Sequence, residues 1–71
     1  MPHFIVNKNA QPNSGDHEVH NKTAGCTYMP DATNQKDLGY HVSCHGAVAE
    51  AKQTYSGSNG CYYCCNACHT T

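Results

Sequence analysis

Four cysteines crowd into the nine-residue stretch Cys61-Tyr62-Tyr63-Cys64-Cys65-Asn66-Ala67-Cys68-His69. Two Cys-x-x-Cys units overlap there, Cys61/Cys64 and Cys65/Cys68. A two-residue spacer lets a tight turn aim both thiolates at one ion, as in a zinc knuckle. The same spacing also serves thiol redox chemistry. Either way, a chain with such a tail folds around sulfur chemistry as much as around a dry core.

The rest of the composition points the same way. The chain has 71 residues, mean hydropathy −0.69 and few large apolar side chains. A single domain of this size stabilises only marginally on its own, and natural ones add disulfides, a metal or a partner. Six Cys and six His are available for that role. The opening segment Met1-Pro2-His3-Phe4-Ile5-Val6 has too short an apolar run for a secretory signal. No segment is long and apolar enough to cross a membrane. The expectation is therefore a cytoplasmic chain whose cysteines bind metal, in preference to three disulfides. Four scattered lysines, no arginine and a formal charge of −1 argue against nucleic acid and membrane surfaces. A protein partner is the expectation that remains.

Taken in order, Phe4-Ile5-Val6-Asn7 predicts a strand, and Pro12-Asn13-Ser14-Gly15 a turn. His17-Glu18-Val19-His20 predicts the returning strand, with His17 and Val19 on one face and Glu18 and His20 on the other. The i, i+3 histidine spacing in an extended segment is not the helical His-Glu-x-x-His of zinc peptidases. A third strand is expected over Leu38–Val42, with Leu38, Tyr40 and Val42 on one face. Ser43 is placed to cap a helix running from Cys44 to about Tyr55. Its weakly apolar stripe is Cys44, Ala47, Val48, Ala51 and Tyr55. Gly57-Ser58-Asn59-Gly60 is turn chemistry that stops the helix and delivers the chain to Cys61.

These elements predict a small, metal-stabilised α+β fold. Short strands form an antiparallel sheet packed on one helix, closed by the Cys-x-x-Cys knuckle. The whole chain, 1–71, is one domain, with a core over about 4–64 and a cysteine-rich tail over 61–71. The predicted zinc ligands are His20, Cys26, Cys61 and Cys64, a closed Cys3His set that pins the strands and helix at both ends. His17 is the alternative to His20. Cys44 is expected as a small buried hydrophobe. Cys65, Cys68 and His69 are left over, as a shifted ligand pair, a labile disulfide or ligands of a second metal.

The order of features resembles the small zinc-binding domain of the Ada methyl-phosphotriester repair proteins. The resemblance rests on Val19-His20, Cys26, Asn34, Tyr40-His41-Val42-Ser43, Glu50-Ala51, Gly60 and Cys61-Tyr62-Tyr63-Cys64. It implies a zinc-bound fold. It does not imply methyl transfer, because His20 stands where that family carries its methyl-accepting cysteine. The family's DNA-facing arginines also have no counterpart. The leading functional expectation is a non-catalytic zinc-binding structural or interaction module. A thiol redox or metal-handling protein using the surplus tail cysteines is the alternative, and a nucleic-acid module by family analogy is third.

Overall fold

The computed structural model describes residues 1–12 and 14–70. Asn13, expected in the first turn, and Thr71, at the end of the tail, lie outside the described residues. Four strands form one sheet: β1 (His3–Asn7), β2 (His17–Asn21), β3 (Gln35–Tyr40) and β4 (Ser58–Gly60), in the order β3-β1-β2-β4. Among the described residues one α-helix, α1 (Cys44–Ala51), lies between β3 and β4. Single 3-10 turns lie at Ala32–Asn34 and Asn66–Cys68.

β1 and β2 form the expected antiparallel pair, with Phe4 opposite Asn21, Ile5 opposite His20 and Val6 opposite Val19. Direct partners share a face. Phe4, Val6 and Val19 belong to the main core with Leu38, Ala47 and Ala51. Ile5 and His20 share the other face and are equally buried. The sheet is therefore covered on both sides, which explains why so short a β-branched run as Phe4-Ile5-Val6 is buried at every position.

The sheet is mixed, which corrects the antiparallel expectation. β4 runs parallel to β2, with His17 opposite Ser58, Glu18 opposite Asn59 and Val19 opposite Gly60. Ser-Asn-Gly carries turn chemistry and poor strand propensity. All three residues are nonetheless buried. The ladder and the tail folded over it override local preference there. A parallel neighbour requires a crossover connection, and the segment containing α1 supplies it.

The third strand starts and ends earlier than expected. Phe4 faces Gly39 and Ile5 faces Asp37, so Leu38 is an extra residue on β3. Gly39 takes φ 76° at this bulge, a region that favours glycine. The phase of the strand flips there: Leu38 is buried while Tyr40 and Val42 are exposed. Leu38, Tyr40 and Val42 thus do not line one face.

The helix starts where expected, with the Ser43 hydroxyl accepting from the His45 N–H at 3.3 Å. Cys44, Ala47 and Ala51 are its buried stripe. It ends at Ala51 rather than near Tyr55, and turns follow. Tyr55 still packs inward, its ring stacked on His17 at 4.0 Å.

Candidate metal centre

Four side chains from three separate parts of the chain converge at one end of β2. His20 comes from the strand itself. Cys26 follows the Asn21–Gly25 turn, in which the Gly25 N–H returns to the Asn21 carbonyl at 3.1 Å. Gly25 has φ 81°, so this tight return uses glycine's freedom to adopt a left-handed conformation. Cys61 and Cys64 come from the knuckle after β4, placed by the Cys61 N–H donating to the Val19 carbonyl at 2.9 Å. One ligand atom from each of His20, Cys26, Cys61 and Cys64 lies within 4.8 Å of all the others. This group can hold a metal ion.

Two of the donor spacings match those of a tetrahedral ion. With metal–sulfur bonds of about 2.3 Å, two thiolates on one tetrahedral centre sit about 3.8 Å apart. The Cys26 and Cys61 sulfurs are 3.7 Å apart. A thiolate and an imidazole nitrogen on such a centre sit about 3.6 Å apart. Cys64 Sγ and His20 Nδ1 are separated by 3.5 Å. His20 therefore faces the sulfurs through Nδ1. Its Nε2 is buried with no hydrogen-bond partner, and the Glu18 carboxylate lies 4.0 Å away. Metal-bound imidazoles are commonly oriented by a carboxylate on the second nitrogen. Glu18, two residues before His20 on the same face of β2, is the nearest carboxylate to that nitrogen but is too far to hydrogen-bond it.

Electrostatics in the cluster favour neutral donors until a cation arrives. Burial pushes the Cys61, Cys64 and Cys65 thiols up and the His20 imidazole down. Backbone N–H groups act in the opposite sense. Those of Cys64 and Tyr63 face the Cys61 sulfur, and the Asn21 N–H donates to Cys64 Sγ at 3.4 Å. Such donors stabilise a thiolate once it forms. A cation bound here would displace thiol protons, so charge and ion would be gained together.

The leftover residues behave differently from their sequence reading. Cys44 is not merely a buried hydrophobe, because it forms a disulfide with Cys68 across a sequence separation of 24. Cys26, Cys61, Cys64 and Cys65 are free thiols, so the six cysteines are not three disulfides. Cys65, Cys68 and His69 do not gather as a second site. Cys65 is buried in the core, Cys68 is bonded to Cys44, and His69 Nδ1 lies 3.0 Å from the Gly60 carbonyl. His17, the alternative ligand, lies outside the cluster, with Nδ1 2.9 Å from the Asn7 carbonyl. Sequence reasoning missed Glu18 as the carboxylate nearest His20 Nε2, although strand alternation had already put both on one face. It also missed the Cys44–Cys68 bond, for which no local spacing signal exists.

No protein-family model matches the chain, no curated protein matches it, and no solved structure matches it.

Proposed function

We propose that this chain is a small zinc module in which His20, Cys26, Cys61 and Cys64 hold one structural Zn(II), and that it acts by presenting a surface to a protein partner. The observation that carries this reading is the convergence of three thiols and one imidazole within 4.8 Å of one another, two of the pairs at the spacing of a tetrahedral ion. Thiolate with imidazole in a tetrahedral set suits zinc. Four protein donors fill the coordination sphere and leave no position for a reacting water, which favours a structural ion over a catalytic one. Apparent zinc binding in small finger peptides is worth roughly 10–16 kcal/mol. A chain of 71 residues with this modest a core needs only part of that to fold.

The order of strand, ligand pair, helix and knuckle supports kinship in fold with the Ada zinc domain it resembles. Methyl transfer has no thiolate at His20 to receive the group, so that chemistry is not part of the reading. The four free thiols suit a reducing compartment such as the cytoplasm, where the Cys44–Cys68 disulfide would be the exception. The interaction half of the reading rests on exposed aromatics beside the knuckle. Tyr28, Tyr62 and Tyr63 are all exposed, and Tyr28 stacks on Tyr63 at 4.6 Å. Tyrosine on a folded surface is enriched where proteins meet.

Native mass spectrometry with and without a strong chelator tests the zinc centre. One zinc per chain is expected, lost with chelator together with the far-ultraviolet circular dichroism signal. A fold that persists unchanged without the ion would overturn the structural role. Cys61→Ser is expected to lose the zinc even without chelator.

A further inference from the structure

A second cluster lies away from the knuckle. The ligand atoms of Cys44, His45 and Cys68 are all within 4.8 Å of one another. No fourth Cys, His or carboxylate among the described residues joins them. Cys44 and His45 open α1, and Cys68 ends the 3-10 turn of the tail. His45 is exposed, and its Nδ1 is 3.5 Å from the Ser43 hydroxyl, a contact long enough to give way readily. A cavity of about 330 Å³ opens beside them, lined in part by His45, Lys52, Asn59, Cys68 and Thr70.

The two sulfurs are joined in the oxidised chain. Their Cα atoms are 6.2 Å apart. Two thiolates sharing one ion need about 3.8 Å between sulfurs, which follows from metal–sulfur bonds of about 2.3 Å. Rotation about the side-chain bonds covers that change without moving α1 away from the tail. A disulfide is the exception in a reducing compartment, where the same pair exists as thiols. In that state two soft sulfurs and one imidazole lie together, with His45 and Cys68 lining the open cavity and Cys44 buried behind them.

We propose that Cys44, His45 and Cys68 form a second, redox-gated metal site, closed as a disulfide and opened by reduction to bind a thiophilic d10 cation. A dithiol reductant opens it by thiol–disulfide exchange. One reductant thiolate attacks Cys68 Sγ from the cavity side, forming a mixed disulfide and releasing Cys44 as thiolate. The second reductant thiol then displaces Cys68 and closes the reductant's own disulfide. Two electrons pass to the protein pair and two protons complete its thiols. The cation releases those protons as it binds Cys44 Sγ, Cys68 Sγ and one His45 ring nitrogen. Three donors match the low coordination of Cu(I), whereas Zn(II) would keep a water toward the cavity. The site shares no ligand with the knuckle centre, so it stands or falls separately.

Oxidised protein, and protein reduced with dithiothreitol and desalted without air, are titrated with Zn(II) and, in a separate arm, with Cu(I). Bound ions are counted by native mass spectrometry. The reduced chain is expected to hold one ion more than the oxidised chain in at least one arm, and the arm identifies the metal. That extra ion is expected to vanish in reduced Cys44→Ser and Cys68→Ser. His45→Ala, whose ring is exposed, is expected to keep the fold and weaken the extra ion at least tenfold. An equal count in both redox states in both arms overturns the proposal. So does an extra ion that survives in Cys68→Ser, or one whose affinity is unchanged in His45→Ala. An oxidised chain holding no ion would instead count against the knuckle centre alone.

Discussion

Gly60 lies at the junction of β4, the knuckle and the tail, and Gly60→Ala tests whether that junction is as tight as described. A Cβ added there would sit 2.7 Å from the Cys65 carbonyl oxygen, 2.7 Å from Cys68 Cβ and 2.9 Å from the Cys68 carbonyl carbon. It would fall about 0.7 Å short of ordinary contact, against backbone on two of the three sides. Those neighbours are held in place. The Cys65 carbonyl accepts the Cys68 N–H at 2.9 Å, Cys68 is bonded to Cys44, and His69 Nδ1 lies 3.0 Å from the Gly60 carbonyl itself. Gly60 has no positive φ, so the penalty is one of space alone. Overpacking of this kind costs about 1–3 kcal/mol. A central cost of about 2 kcal/mol lowers Tm by roughly 8–16 °C in a domain of this size. Gly57→Ala is the matched control. Its Cβ would meet Asp16 Oδ1 and the Gly15 carbonyl at 3.7 Å, both ordinary contacts. Its expected effect is within about 0.5 kcal/mol, or about 2–4 °C. The assay is thermal unfolding of both variants by circular dichroism at saturating zinc and with the disulfide intact. Equal midpoints for the two variants would refute the tail packing against β4.

Three further outcomes follow from the same geometry. Replacing a knuckle sulfur, as in Cys64→Ser, is expected to leave a chain whose circular dichroism at ambient temperature resembles that of the chelated wild type; a native-like signal without zinc would count against it. Glu18→Gln keeps the shape beside His20 Nε2 but removes the charge, and about tenfold weaker zinc binding is expected in competition with a chromophoric chelator. An unchanged affinity would mean that Glu18 does not support the imidazole. Opening the Cys44–Cys68 bond at a separation of 24 residues, with no second ion supplied, is expected to cost about 3.5 kcal/mol in the chain-entropy model. Denaturant unfolding of oxidised and reduced zinc-loaded protein measures this, and coincident curves would show that the bond does not constrain the unfolded chain.

The hairpin of β1 and β2 was legible because a short apolar, β-branched run and a polar turn are local signals. The start of α1 was legible because Ser43 caps it and alanine carries it forward. Its end was not, because the residues after Ala51 retain helix-compatible character while the chain must turn to reach β4. β4 was hidden for the opposite reason. Ser58-Asn59-Gly60 has the chemistry of a turn and becomes a strand only because β2 offers an edge and the tail covers it. The bulge at Leu38 and Gly39 was equally invisible, since one inserted residue reverses every side chain beyond it.

The sequence by itself supplied the thiol and imidazole groups that could hold a metal ion. Its thiol and imidazole groups are the soft and borderline donors a small chain uses when apolar residues are scarce, and the Cys61/Cys64 spacer builds its own knuckle. Tertiary structure alone decided how the remaining sulfurs divide. Cys65 enters the core, while Cys68 reaches the first turn of α1 and meets Cys44. Spacing governs which thiols share a turn. Only the path of the chain, with β4 laid parallel to β2 and the tail folded across Gly60, governs which distant thiols meet.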